Sequence, residues 1–279
     1  NDSAGREAAE KCAQVLSPNK AKIVNLSDFK DASDYLMNNK VRAFTAHWWE
    51  ATTYRMTGVI TLEDAWGDFI KRGTEEIIPF PESFGMLNSM LNGGIAAGEI
   101  TVIGALTSVG KTTMVNEIAY HFWKNTTKTI GCAFLEASNG EAVENLLTIH
   151  TGHNLSLEDR KNIDFDKLRS EIITDGRILL LDHNGAVDTD ELFLKLRAMV
   201  KGSGCDVLII DPLQAAVTSN ENKTIDDFMD RLLKLVKETD VSVIVVSHMR
   251  KPFVKEAHDV SEYDLKGSGS INQISYNTI

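Results

Sequence analysis

Five runs of continuous aliphatic residues, each followed by a stretch with helical spacing, constrain this chain more than any other feature. The runs cover residues 100–104, 130–135, 178–182, 207–211 and 241–247; the helical stretches cover 111–125, 140–151, 166–174, 189–201 and 224–239. A strand apolar at every position must be buried on both faces, and an amphipathic helix must lay one face on something. Both demands are met by a parallel sheet covered by helices on each side, so an α/β fold is expected from about Pro81 onward. In such sheets ligands gather where the strands end, and the charged residues considered below lie at those ends.

The first part of the chain reads differently. Residues 3–16 place Ala8, Ala9, Cys12, Val15 and Leu16 on one helical face, 21–26 read as a strand, and 31–37 as a capped helix start. A further helical stretch, 41–54, carries Trp48 and Trp49. Residues 61–71 form an amphipathic helix begun by Thr61, with Glu63 and Asp64 in its first turn and polar linkers on either side. Its apolar face either packs on its own domain or docks on a neighbouring subunit.

Residues 99–113 read Glu-Ile-Thr-Val-Ile-Gly-Ala-Leu-Thr-Ser-Val-Gly-Lys-Thr-Thr, a buried strand, a loop and a helix start. This is a phosphate clamp. Backbone N–H groups of Ser108, Val109, Gly110, Lys111, Thr112 and Thr113 face a polyphosphate, Lys111 reaches its β and γ groups, and the Thr112 hydroxyl suits Mg2+. The usual motif has glycine where this chain has Ala105.

Three other strand ends carry chemistry. Asp211 closes an apolar run; alone it would be an ordinary turn cap, but beside a phosphate loop it supplies a second Mg2+ partner. Glu136 ends a strand expected one position over from the clamp, where a carboxylate can deprotonate the water that attacks a γ-phosphate. His248 follows four apolar residues and precedes Arg250 and Lys251, a place for a γ-phosphate sensor. Beyond it, Arg250, Lys251 and Lys255 lie with Phe253 on one loop, and Lys266 and Gly267 on another. Such loops suit a phosphodiester backbone without base preference, with a solvated charge run as the competing explanation.

The 279 residues carry a net charge of -11, so nucleic-acid contact must be local rather than spread over the surface. No apolar run approaches the ~20 residues of a membrane span, and no membrane partner is expected. Three scattered cysteines indicate neither a disulfide framework nor a zinc site, which fits a cytoplasmic setting. Asn1 is not an initiator, and the chain is expected to be a piece of a longer one.

Together these motifs, with Val-Ser-His248-Met-Arg-Lys-Pro and Asp-Leu-Lys266-Gly-Ser-Gly, resemble the hexameric replicative helicases of the DnaB superfamily. The likeness is strongest to phage bifunctional primase-helicases, with mitochondrial Twinkle a relative; members often carry Ala or Ser at the place of Ala105. The resemblance implies a RecA-like subunit of a hexameric ring that hydrolyses ATP or dTTP with Mg2+ at subunit interfaces. It also implies 5' to 3' movement on single-stranded DNA in a phage-infected or bacterial cytoplasm. Lys111, Glu136 and His248 would be catalytic, Thr112 and Asp211 would hold metal, and Gln273 would lie near the γ-phosphate. Residues 1–56 resemble the end of a TOPRIM primase domain, with Asp2 as one of its metal carboxylates but its partners missing, so primer synthesis is not expected. Residues 57–80 would be a linker with a subunit-docking helix, and 81–279 the ATPase domain. The family's arginine finger lies beyond the last strand; no arginine follows Arg250, so weak hydrolysis by this chain alone is expected. Two other classes share the clamp: a RecA- or clock-type ATPase that binds DNA or protein without unwinding, and a nucleotide-locked scaffold for a replicative DNA polymerase.

Overall fold

The computed structural model describes residues 3–16, 20–54, 60–74, 76–106, 109–156, 160–173, 175–183, 188–217, 219, 222–249, 265 and 269–279. Contacts divide the chain into two units, Asn1–Thr74 and Glu75–Ile279.

The first unit runs α1 (Ser3–Val15), β1 (Lys22–Ile23), α2 (Ala32–Met37), α3 (Val41–Trp49), β2 (Thr52–Thr53) and α4 (Leu62–Thr74). Asp31 caps α2 by accepting the Asp34 N–H at 3.0 Å, as its sequence position suggests. The fully buried Tyr35 organises this unit, with the Phe29 ring edge-on at 4.9 Å and Phe44 and His47 also against it. Two expectations are corrected here. The strand expected over 21–26 is only two residues long, and the helix expected over 41–54 stops at Trp49. The cause is one ladder: β-branched Thr52 and Thr53 pair antiparallel with Ile23 and Lys22, and the Tyr54 N–H donates to the Ala21 carbonyl at 3.0 Å. On α4 the Thr61 hydroxyl accepts the Asp64 N–H while the Asp64 carboxylate accepts the Thr61 N–H, a reciprocal cap. Its Leu62, Trp66, Phe69 and Ile70 are all exposed.

The second unit begins with α5 (Gly85–Met90), β3 (Ile100–Ala105), α6 (Lys111–Asn125), β4 (Ile130–Phe134), α7 (Asn139–Thr151), α8 (Phe165–Ile172) and β5 (Ile178–Leu180). It continues with α9 (Thr189–Arg197, extended by a π turn over Ala198–Gly202), β6 (Val207–Asp211), α10 (Leu213–Ala216), α11 (Asn222–Thr239), β7 (Ser242–His248), α12 (Ser270–Ile274) and β8 (Asn277–Thr278). The sheet order is β5-β4-β6-β7-β3-β8, with parallel ladders throughout. Alternation along each strand feeds two cores. Leu208, Ile210, Val243 and Val245 join Leu192, Leu196, Phe228 and Leu232 on one face; Val207, Ile209, Ile244 and Val246 join Val115, Ile118 and Phe122 on the other.

This order corrects the expected place of Glu136. Its strand β4 is not adjacent to β3, because β7 and β6 lie between them. The α6 crossover spans both intervening strands and packs on β6 and β4, so the clamp helix carries the connection across the sheet. The polar edge strand β8 has no apolar signature. It is held by the backbone, with the Tyr276 and Ile279 N–H groups donating to the Ile100 and Val102 carbonyls. Before the sheet, an antiparallel bridge joins Ile78 to Ile95. Gly94, at φ +146°, makes that approach possible, since a Cβ there would lie 2.0 Å from the Ile78 carbonyl oxygen. Among the described residues no helix is long and apolar enough to cross a membrane.

Phe122 fastens the clamp helix to its core and is fully buried beside Phe80, ring centroids 5.8 Å apart. Phe122→Ala is expected to cost about 3–5 kcal/mol, read as a lower urea midpoint for the transition reported by the neighbouring Trp123.

Candidate nucleotide-binding site

The parallel registers bring the chemistry together. Ala105 at the end of β3 pairs with His248 at the end of β7, and Phe134 at the end of β4 pairs with Asp211 at the end of β6. The β4–β6 ladder continues one bond further, with the Leu135 N–H donating to the Asp211 carbonyl at 2.8 Å. Glu136 comes directly after it.

Gly110 caps α6 in a left-handed conformation, φ +92°, that glycine adopts without strain. Lys111 is buried, and its ammonium donates to the carbonyls of Ala105 at 3.2 Å and Leu106 at 2.9 Å. The Asn116 amide fixes the first turn by donating to the Thr112 carbonyl. The Thr112 hydroxyl donates to the Asp211 carboxylate across the sheet end.

Asp211 is almost fully buried, and burial pushes its carboxyl above the usual carboxylate range. The Thr112 hydrogen bond opposes that rise, the Glu136 charge adds to it, and the Lys111 and His248 charges pull it back. Glu136 is largely exposed, with Oε1 3.7 Å from His248 Nε2. A pair this open to water contributes about 0–1 kcal/mol, so it is informative about position rather than stability. The His248 N–H donates to Gln214 Oε1 at 3.0 Å, and Gln214 Nε2 donates to Ser247 Oγ at 3.0 Å.

A cleft of about 380 Å³ is lined by Thr112, Glu136 and Asp211 together with Glu141, Glu144, Asn145 and Ser156. Glu141 forms a capping box with Ser138 at the start of α7, and the hydrogen bonds from Ser138 hold its carboxyl below the usual range. A larger cavity of about 500 Å³, lined by His150, His153, Lys167 and Glu171, shares none of the clamp residues. The smaller cleft is the candidate site because the Thr112 hydroxyl and the Glu136 and Asp211 carboxylates line it, with Lys111 adjoining Thr112 on the first turn of α6 and its charge acting on Asp211. One hydroxyl with one or two carboxylates is an all-oxygen set that fits Mg2+ when phosphates complete its shell.

The structure thus gathers Lys111, Thr112, Asp211, Glu136 and His248. Val109 and Gly110 are exposed at the loop, and Thr113 is exposed on the first turn of α6. Among the described residues, Gln273 shares no hydrogen bond or ion pair with the gathered group. It is exposed on α12, whose Ile271 sits in the core on the face opposite α6. Ser108, Arg250, Lys251, Lys255, Lys266 and Gly267, as well as Asp2, lie outside the described residues. Sequence reasoning missed Glu141, although Ser138-x-x-Glu141 is a legible capping box, and missed Gln214, which carries no motif signal of its own.

A parallel sheet buried on both faces, a strand–Gly-Lys-Thr–helix unit and carboxylates at two further strand ends define a RecA-like P-loop domain. The family profile of the DnaB-like helicase C terminal domain matches residues 80–276, and the chain belongs to that family. It is 29% identical to the DNA helicase/primase of Enterobacteria phage T3 over 294 aligned positions, 98% of this chain and 51% of that protein. It is 25% identical to the replicative DNA helicase DnaB of Geobacillus stearothermophilus over 71% of this chain and 46% of that protein. The chain therefore spans about half the length of the curated relatives it matches. Among solved structures, an ATPase domain shares the fold with a TM-score of 0.61, at 22% identity, over 77% of this chain and 81% of that one. A DnaB-like replicative helicase studied with its primase gives 0.62 at 19% identity, over 88% of this chain and 62% of its own.

The Asp211 environment sets a pH dependence of stability. A buried carboxyl raised above its unfolded value penalises folding where it is charged, and the penalty fades as pH falls through the raised value toward the ordinary one. Asp211→Asn is therefore expected to raise the melting temperature near neutral pH, the gain disappearing below about pH 4. Paired thermal melts in chelator across that range check it.

Proposed function

We propose that this chain is the motor domain of a replicative DNA helicase. It hydrolyses ATP or dTTP at the cleft between the start of α6 and the ends of β4 and β6 and moves along single-stranded DNA as a ring of identical subunits. The observation that carries this reading is the meeting of Lys111, Thr112 and Asp211 at one sheet end with Glu136 and His248 beside them. Membership of the DnaB-like helicase family supports the DNA substrate and the ring.

In this reading the Lys111 ammonium exchanges the Ala105 and Leu106 carbonyls for β- and γ-phosphate oxygens. Thr112 and Asp211 would hold Mg2+, which supplies charge neutralisation on the transferring phosphoryl group. Glu136, reachable by water, accepts the proton of the water that attacks the γ-phosphorus as the bond to the β-phosphate oxygen breaks. His248, next to Glu136, contacts the γ-phosphate and reports its presence to the next segment of the chain, where Arg250, Lys251, Lys255, Lys266 and Gly267 would meet the DNA backbone.

The exposed apolar face of α4 supports docking on a neighbouring copy, with residues 57–80 as the linker. Residues 1–56 fit the tail of a TOPRIM-like domain, supported by alignment of nearly the whole chain to a helicase/primase. Three free cysteines accord with a reducing cytoplasm.

In the full-length protein, Lys111→Ala is expected to abolish triphosphate hydrolysis and strand displacement on forked DNA. Glu136→Gln is expected to keep nucleotide binding while lowering kcat by about a hundredfold or more. Nucleotide-stimulated strand pairing without displacement would sink the helicase reading in favour of a recombinase-type ATPase.

A further inference from the structure

Gln214 holds a place that neither the clamp nor the strand-end carboxylates require. It stands on α10, three residues beyond Asp211, yet its amide reaches sideways to the end of the next strand. There it makes a two-point contact: Nε2 donates to Ser247 Oγ at 3.0 Å and Oε1 accepts the His248 N–H at 3.0 Å. Both partners are at the last two positions of β7. Ser247 is fully buried, its hydroxyl also reaching the His248 carbonyl at 3.4 Å, and the His248 N–H can only donate, so the amide turns its oxygen to His248 and its nitrogen to Ser247. The His248 N–H lies past the last β6–β7 register pair, Ile210↔Val245, so no β6 residue is its ladder partner. Gln214 takes that part, extending the sheet by one side-chain bond and setting where the His248 backbone leaves it. The imidazole that this backbone carries sits 3.7 Å from Glu136.

We infer that Gln214 is a positioning residue for the γ-phosphate contact, tying the strand end that carries Asp211 to His248 through the His248 backbone. The inference rests on the nucleotide-site reading above. A residue that acts this way affects the triphosphate and spares the diphosphate, because Lys111, Thr112 and the loop amides hold the β-phosphate without it. A residue that merely supports the fold weakens both nucleotides together.

The measurement is the ratio of dissociation constants for the diphosphate and a nonhydrolysable triphosphate, in Mg2+. Wild type, Gln214→Leu, Ser247→Ala, His248→Ala and the Gln214→Leu/His248→Ala double variant are compared. Gln214→Leu keeps the side-chain volume and removes both hydrogen bonds; Ser247→Ala removes one and leaves the His248 bond, which keeps the question open to test if the first variant folds poorly. Wild type is expected to favour the triphosphate. Gln214→Leu is expected to narrow that preference about tenfold, the worth of a charge-assisted hydrogen bond. Diphosphate affinity should stay within about twofold, Ser247→Ala should narrow the preference less, and the double variant should match His248→Ala, since residues acting through one contact do not add.

An unchanged ratio in Gln214→Leu, an equal loss for both nucleotides, or a further narrowing in the His248→Ala background would each overturn the inference. So would a ratio untouched by His248→Ala while Lys111→Ala still abolishes binding, an outcome that leaves the nucleotide site standing. Nucleotide affinity unaffected by Lys111→Ala would instead overturn the site itself.

Discussion

The register of four parallel strands is the constraint on which the rest of this molecule depends. Asp211 stands opposite Phe134 and His248 opposite Ala105, and each pairing is locked because both faces of each strand are buried. A slip of one residue would send every side chain to the other core, where it meets differently shaped neighbours, so close packing rather than polarity fixes the ladder. The clustered polar residues sit at or just past the last paired ones: Asp211 and His248 at the ends of β6 and β7, Glu136 just beyond β4, and Lys111 and Thr112 at the start of the helix that follows β3. Packing of Val, Ile and Leu thus sets the positions of five polar side chains that do not themselves choose their places.

Within that frame the polar groups are arranged in tension. Asp211 is buried where a charge is unfavourable, and its carboxyl rises accordingly, held down in part by the Thr112 hydroxyl and the nearby cations. Lys111 is buried too, satisfied by carbonyls of the loop it serves. In the proposed reading, a divalent cation would offset the buried Asp211 charge and phosphate the Lys111 charge.

How far each element can be read from the sequence depends on the kind of force that makes it. The strands at 100–105, 130–134 and 207–211 and the helix Lys111–Asn125 are products of local hydrophobic pattern, and they appear where the pattern puts them. The clamp is legible because a glycine at positive φ followed by lysine and threonine is dictated by phosphate geometry. Elements made by tertiary context are not. Thr52 and Thr53 leave a helical stretch to pair with β1, and Asn277 and Thr278 become a strand only because β3 offers an open edge. The place of β4 escapes for a similar reason: strand order is decided by a crossover helix spanning two strands that come later in the chain, which no local pattern encodes. Gln214 is invisible for want of periodicity or motif, since its role exists only once β6 and β7 are side by side.

The proposed polyphosphate site, where β3, β4, β6 and β7 end, is the centre of this picture. A crystal structure of the chain with Mg2+ and a nonhydrolysable triphosphate tests it most directly. The β- and γ-phosphates are expected over the first turn of α6, with the Lys111 ammonium on their oxygens, the metal on Thr112 and His248 at the γ-phosphate. A triphosphate seated in the cavity lined by His150 and Lys167, or a clamp whose lysine stays on Ala105 and Leu106 with nucleotide bound, would contradict it.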